Sequence, residues 1–203
     1  MRNDIRLRPT RPLLAGVALV LTVAGCQTVP VAPAPSLPWS VRRPSLQSLQ
    51  RFGLDGRVAV AVGQQGFNAG IRWAQAGAVT RLVLTGPLGA GGVKVTADGA
   101  DLTLITSSGK RLGADAARAE LQDKLGFQPP LASVRYWVLG VPDPATPASV
   151  QLDSQQRPSE LTQAGWQIIY TSYMPVGAQW LPRLLTLSRA GVRVRMLVQG
   201  WQL

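Results

Sequence analysis

The chain has 203 residues, 46% of them apolar and 15% charged, a length and balance that suit one folded core rather than a disordered polymer. It contains no histidine and one cysteine, which excludes histidine general bases, Ser-His-Asp and Cys-His triads, intrachain disulfides and paired-cysteine redox or zinc motifs. The formal charge is +11, and beyond the first 25 residues, which hold four arginines and one aspartate, 17 basic and 9 acidic residues remain.

Residues 1–11 are basic, and Leu13 to Val23 is an apolar run of eleven residues. That is the length of a signal-peptide core and too short for a stable bilayer span. Small residues follow, and Val23-Ala24-Gly25-Cys26 resembles the lipobox of bacterial lipoproteins, with valine at the position where leucine is commoner. In such a segment the thiol takes a diacylglycerol, the chain is cut before it and the new amine is acylated. Cys26 is therefore the expected lipidation site. Three acyl chains at ~0.8 kcal/mol per buried methylene make anchoring effectively permanent. Gln27 follows the cysteine, where an aspartate would resemble an inner-membrane retention signal, so the outer membrane is the expected location.

Residues 27–44 contain five prolines and read as an extended tether; at ~3.1 Å per residue it reaches roughly 55 Å. Arg42 and Arg43, at its end, are placed either against lipid headgroups or in solvent. The expected organisation is a lipoprotein signal over 1–25, a lipidated cysteine and tether over 26–44, and a β-domain over 45–203.

Within that domain, 57–62, 70–75, 80–85, 92–97 and 101–106 alternate with period two between glycine-rich or polar turns, the pattern of antiparallel strands with one apolar face. Residues 115–125 and 130–139 read as helices stopped by Gly126 and Gly140. After the prolines at 142, 144 and 147, strands resume at 166–173, 183–188 and 192–199, with weaker ones around Gln151, Glu160 and the domain's start. So many strands curl, and helices inserted mid-chain cover the open side. The expected fold class is mainly β with a few helices: a half-closed antiparallel β-barrel whose open side the helices cover.

The segments Gly56-Arg57-Val58-Ala59-Val60, Gly70-Ile71-Arg72-Trp73, Gly86-Pro87-Leu88-Gly89, Tyr136-Trp137-Val138-Leu139-Gly140-Val141-Pro142 and Gly165-Trp166-Gln167-Ile168-Ile169-Tyr170 occur in the order found in the LolB family, which the chain resembles from about Leu49 to Leu203. The resemblance implies an unclosed antiparallel β-barrel with a helical lid over an apolar cavity, and an outer-membrane receptor of the lipoprotein-localisation pathway. Such a receptor takes mature lipoproteins from the periplasmic carrier LolA and inserts them into the inner leaflet of the outer membrane. It further implies acylated lipoproteins and outer-membrane lipids as partners, a lipid-anchored monomer facing the periplasm, and no cofactor, metal or catalytic group.

The residues point the same way, because moving acyl chains is partitioning between apolar surroundings and needs a concave apolar surface, not a nucleophile. Candidates for that surface are Ile71, Trp73, Leu82, Leu84, Val93, Val95, Ile168, Tyr170, Leu185, Leu187, Val194 and Met196. The alternative for each is an ordinary filled core, and alternation alone does not separate the two. The glycine-rich stretch from Gly86 lacks the lysine and following helix of a phosphate-binding loop. It instead puts Leu88 at a hairpin tip, and the matching leucine in the LolB family lies on a protruding loop associated with membrane insertion. A leucine folded back on the sheet is the alternative. Arg57, Arg72, Arg81, Arg193 and Arg195 fall on outer-face positions; nucleic acid is excluded for a secreted anchored chain, leaving anionic headgroups, an acidic carrier surface, or a soluble face. The competing function is a structural or assembly lipoprotein of the envelope that binds a protein or cell-wall partner. An enzyme would need an acid–base pair, and Asp98 with Asp101 or Asp115 with Glu120 look like turn and helix-surface residues.

Overall fold

The computed structural model describes residues 37–87 and 91–203. A first helix, α1 (Trp39–Gln47), precedes strands β1 (Arg51–Val62), β2 (Gln65–Ala76), β3 (Val79–Thr85), β4 (Gly92–Asp98), β5 (Asp101–Ile105) and β6 (Arg111–Leu112). Helices α2 (Ala114–Leu125) and α3 (Leu131–Trp137) follow, then β7 (Ala148–Leu152), β8 (Pro158–Gln163), β9 (Trp166–Val176), β10 (Gln179–Arg189) and β11 (Val192–Gln202). All eleven strands form one antiparallel sheet in the order β6-β5-β4-β3-β2-β1-β11-β10-β9-β8-β7. Two meanders thus meet where β1 pairs with β11, and their far ends, β6 and β7, are left unpaired with each other. The chain between those two edges carries α2 and α3, which puts the helices over the open side.

Most strands begin or end beyond the period-two runs. β1 reaches back to Arg51 with its pairing to β2 unbroken, burying Phe52, Leu54, Gly56, Val58 and Val60 at alternate positions, while the register shift at Asp55/Gly56 belongs to the pairing with β11, where Gln199 is the extra residue. Gly53, Asp55 and Gly56 are poor strand formers and hide this part of β1 from a sequence reading. Gly56 is required there: a Cβ on it would stand 2.1 Å from the Leu197 carbonyl oxygen. β10 starts at Gln179 and shifts register around Pro182, a residue that cannot donate to the ladder and is tolerated at such an irregularity.

The inner face buries Leu54, Trp73, Leu104, Leu161, Ile168, Leu181 and Leu185 against Trp137, Val138, Leu139 and Val141 at the end of α3 and beyond. Gly140 closes that segment at φ +77°, a left-handed turn that glycine enters without a Cβ clash. In α2, Ala117 and Leu121 lie four apart on the buried face, and Gly126 ends the helix by donating its N–H to the Gln122 carbonyl.

The tether expected over 27–44 is corrected at its end. Residues 39–44 belong to α1, so the ordered domain starts before residue 45. Trp39 packs on the core and Leu46, seven residues on, is buried, while Arg42 between them is 2% exposed and donates to the Gln156 carbonyl at 3.2 Å. Gln47 Nε2 donates to the Pro142 carbonyl at 2.8 Å. Pro44 sits inside the helix and removes one helical hydrogen bond, so tertiary packing rather than local propensity holds α1. Arg42 is consequently unavailable to headgroups; Arg43 is exposed.

The hairpin that receives Arg42 is itself ordered by Asp153. Its carboxylate accepts from the Gln155 and Arg157 amides and from Arg157 Nε, each at 2.8–2.9 Å, and pairs with the Arg157 guanidinium at 2.7 Å. Burial opposes its ionisation, yet these hydrogen bonds and the Arg157 charge outweigh burial, and the pKa lies below the ordinary carboxylate value. A depressed pKa means that stabilisation is complete above roughly pH 3.9 and is lost as pH falls through the lower folded value. Asp153→Ala is expected to cost about 1–2 kcal/mol in urea unfolding at neutral pH, with the difference from the parent protein vanishing in strong acid. A pH-independent difference would contradict this assignment.

Candidate functional site: an apolar cavity under the helical lid

Between the concave face of the sheet and the two helices is a cavity of about 100 Å³. Val58 and Val60 of β1, Phe67, Ile71 and Trp73 of β2, Leu82 and Leu84 of β3, and Val95 of β4 form one wall, continued by Leu187 of β10 and Val194 and Met196 of β11. The opposite wall is Leu121 and Leu125 of α2, Phe127, Pro129 and Pro130 of the connection, and Leu131 and Val134 of α3; Trp166 closes the side. Every lining side chain is apolar. Of the lining indoles, Trp73 donates its N–H to Gln75 Oε1 at 3.0 Å, and Thr80 donates to the same oxygen at 2.8 Å. That buried polar group is therefore satisfied away from the cavity, which offers a ligand dispersion and water exclusion but no hydrogen bond.

Of the twelve candidate positions, Ile71, Trp73, Leu82, Leu84, Val95, Leu187, Val194 and Met196 line this cavity. Four do not. Ile168 and Leu185 are fully buried in the solid half of the core, and Val93 packs against that core from a half-buried position. Tyr170 donates its hydroxyl to the Trp137 carbonyl at 2.9 Å, and burial pushes its pKa well above the ordinary phenol value, so it serves as a neutral donor that fixes the foot of α3. Alternation places all twelve on the inner face; the helices decide which of them have a neighbour and which face space.

The lid wall went unassigned in the sequence, although Leu121 and Leu125 four residues apart were its visible signal. Phe67 was missed because β2 begins five residues earlier than its clear alternation. Cys26 and Leu88 lie outside the described residues. The Leu88 hairpin is described at its base, where the Gly86 amide donates to the Gly91 carbonyl at 3.2 Å.

Two arginines tie the lid to hairpin turns. Arg118 of α2 donates to the Ala100 carbonyl at 2.6 Å in the β4–β5 turn, and Arg135 of α3 donates to the Gly77 carbonyl at 2.7 Å in the β2–β3 turn. Arg135 also reaches the Leu49 carbonyl at 3.4 Å and lies over the Tyr136 ring, 4.8 Å from its centre. Among the described residues no group of three acidic or cysteine side chains could hold a metal ion, and no helix is long and apolar enough to cross a membrane.

Residues 50–201 match the family described as "Outer membrane lipoprotein LolB". The chain belongs to the LolB family. A relative named outer-membrane lipoprotein LolB from Nitrosomonas europaea is 39% identical over 153 residues, covering 74% of this chain and 72% of the relative. One of the same name from Thiobacillus denitrificans is 31% identical over 192 residues, covering 95% and 98%. Among solved structures, a LolA-superfamily protein from Nitrosomonas europaea superposes with a TM-score of 0.54 at 10% identity, covering 83% of this chain and 94% of its own. At that identity the likeness is one of fold alone.

Proposed function

We propose that this protein is an outer-membrane receptor, anchored through lipid on Cys26 and facing the periplasm, that accepts acylated lipoproteins from a soluble LolA-like carrier and passes them to the inner leaflet. The observation that carries the reading is the apolar cavity under α2 and α3. Each methylene moved from water into such a site gains about 0.8 kcal/mol, so acyl chains are held by partitioning alone. Membership of the LolB family supports the same role.

The cavity as it stands, about 100 Å³, is below the roughly 300–1,000 Å³ of ordinary ligand pockets. Acyl chains enter, on this reading, only as α2 and α3 move off the sheet. Leu131, half-buried at the lid margin, is the position at which to test this without emptying the core. The unlipidated receptor should bind an acylated lipoprotein saturably and the same polypeptide without acyl chains not at all. Leu131→Glu should fold and should weaken that binding at least tenfold, because a carboxylate facing the acyl chains must be desolvated or neutralised. Indifference to acylation would remove the carrier reading and leave an envelope-structural role.

A further inference from the structure

The outer face of the sheet carries cations that the cavity does not use. Arg72 on β2 is in register with Val83 on β3, which is in register with Lys94 on β4. Arg81 on β3 stands opposite Ala74, Arg195 on β11 opposite Ala59, and Arg193 opposite Ala61. Arg57 on β1 shares the outward side with these two alanines, and all six cations are exposed. The small partners leave the long side chains free to spread. Five adjacent strands at ~4.8 Å spacing give the patch a width of roughly 20 Å.

Its sign is not balanced. Asp55, in register with Arg72, is the acidic residue of β1 within the patch. Asp98, paired with Asp101 at the β4–β5 end, shares the outward side of Lys94 at the margin of the patch, and the other acidic groups gather elsewhere: Asp115, Glu120 and Asp123 on α2, Asp143 and Asp153 around β7 and Glu160 on β8. The ion pairs found among the described residues, Arg118–Asp115, Lys124–Glu120 and Arg157–Asp153, use none of the six. A face built only for solubility interleaves both signs, whereas a single-sign field attracts a partner of opposite charge.

We propose that the outer sheet face bearing Arg57, Arg72, Arg81, Lys94, Arg193 and Arg195 docks on the surface of an anionic phospholipid membrane. Arg193 borders a surface depression at one margin of the face, and the other five cations are spread over neighbouring strands, which suits a fluid array of headgroups that can rearrange beneath it. It also lies on the opposite side of the sheet from the lid, so a docked receptor keeps its cavity open to the periplasm. Lys94 stands two residues beyond the base of the β3–β4 hairpin, so docking brings that hairpin to the headgroup level. The proposal rests on the reading of the protein as a membrane-anchored receptor, but not on cargo capture.

The test uses the mature chain with Cys26→Ala, so that no lipid anchor contributes, and vesicles of phosphatidylcholine with or without phosphatidylglycerol. Binding is expected only to the phosphatidylglycerol vesicles and is expected to weaken as salt rises. The triple variant R72Q/K94Q/R195Q should bind them about a hundredfold more weakly, at roughly fivefold per cation, with unchanged uptake of lipoprotein from the carrier in the absence of vesicles. Equal binding to both vesicle types, or a triple variant that binds as the parent does, overturns the proposal. So does a triple variant that keeps vesicle binding and loses uptake from the carrier, which would make the face a protein-docking surface. Failure of the acylation-dependent capture described above leaves the vesicle result standing, so the two readings fail separately.

Discussion

Gln163→Leu is expected to be the most destabilising single substitution that leaves the side-chain volume nearly unchanged. Gln163, on β8, is 2% exposed and makes every hydrogen bond its amide allows. Its Oε1 accepts from Trp137 Nε1 at 2.8 Å and from the Asp143 amide at 2.9 Å; its Nε2 donates to the Asp143 and Thr146 carbonyls at 2.8 Å and to Thr146 Oγ1 at 2.9 Å. Leucine fills the space but strands the Trp137 indole N–H, the Asp143 backbone N–H and the Asp143 carbonyl in the interior. At about 1–3 kcal/mol for each buried group left unpaired, with some relaxation between neighbours, the loss is roughly 3–5 kcal/mol out of a total near 5–15 kcal/mol. Thermal unfolding should drop by about 10 °C or more. Gln163→Glu should be no better at neutral pH, since it sets a carboxylate oxygen against two carbonyl oxygens. Gln167→Leu, next to it in the ladder but exposed and bonded to Glu160, should change stability little. A Gln163→Leu protein within 1 kcal/mol of the parent in urea unfolding would refute this account of how the α3–β7 connection is held.

The consequence extends to the cavity, because Gln163 fixes the indole of Trp137 at the foot of α3 while Val134 and Leu131, about one and two turns earlier, form part of the lid wall. On the proposed reading, in which the lid moves off the sheet, hydrogen bonds make Trp137 the fixed end of α3. Gln163 and Tyr170 make that foot through a side chain and a backbone carbonyl of one residue, Trp137. Ser133 Oγ adds a third tie by donating to Asp143 Oδ2 at 2.8 Å. This arrangement gives physical content to the segment 136–142, which stands out in the sequence only as an aromatic-rich motif before a proline.

What could be read from the sequence follows from what periodicity measures. Alternation reports which side of a strand is apolar, so the eight clear strands and the sidedness of Ile71, Trp73, Leu82 and Val95 were legible, while the start of β1 was hidden by the poor strand formers Gly53, Asp55 and Gly56 and β10 before Leu184 by register shifts. α1 was concealed differently: its prolines carry a local signal for extended chain, and only the long-range contacts of Leu46, Arg42 and Gln47 override it. Whether an inner-face residue lines a cavity was not legible at all. Ile168 and Ile71 read alike, yet one is sealed by the segment after α3 and the other faces the gap under α2, a difference set by where the helices land on the sheet.

Leu88→Glu is expected to abolish release into the membrane while sparing capture from the carrier. The loop bounded by Gly86 and Gly91 holds a large apolar residue where hairpin tips ordinarily carry polar ones, and β3 and β4 remain paired through Thr85 and Gly92 at its base. A leucine entering the acyl boundary gains roughly 1.5–3 kcal/mol, enough to bias the hairpin toward the leaflet and far too little to anchor a protein. Glutamate reverses the sign of that step, since its carboxylate must be desolvated to go in and is repelled by anionic headgroups on the way. Among the described residues of this hairpin, Gly86, Pro87 and Gly91 take no part in the cavity wall, and the affinity for acyl chains is expected to stay within a factor of about two. Transfer should therefore be scored in two stages, from carrier to receptor in solution and from loaded receptor to liposomes. The variant is expected to complete the first at the parent's rate and to fail at the second, with release at least tenfold slower. A variant that delivers to liposomes as fast as the parent would eliminate Leu88 from the membrane step. One that unfolds would assign the side chain to the core, because a residue whose only partner is lipid contributes nothing to the stability of the free protein.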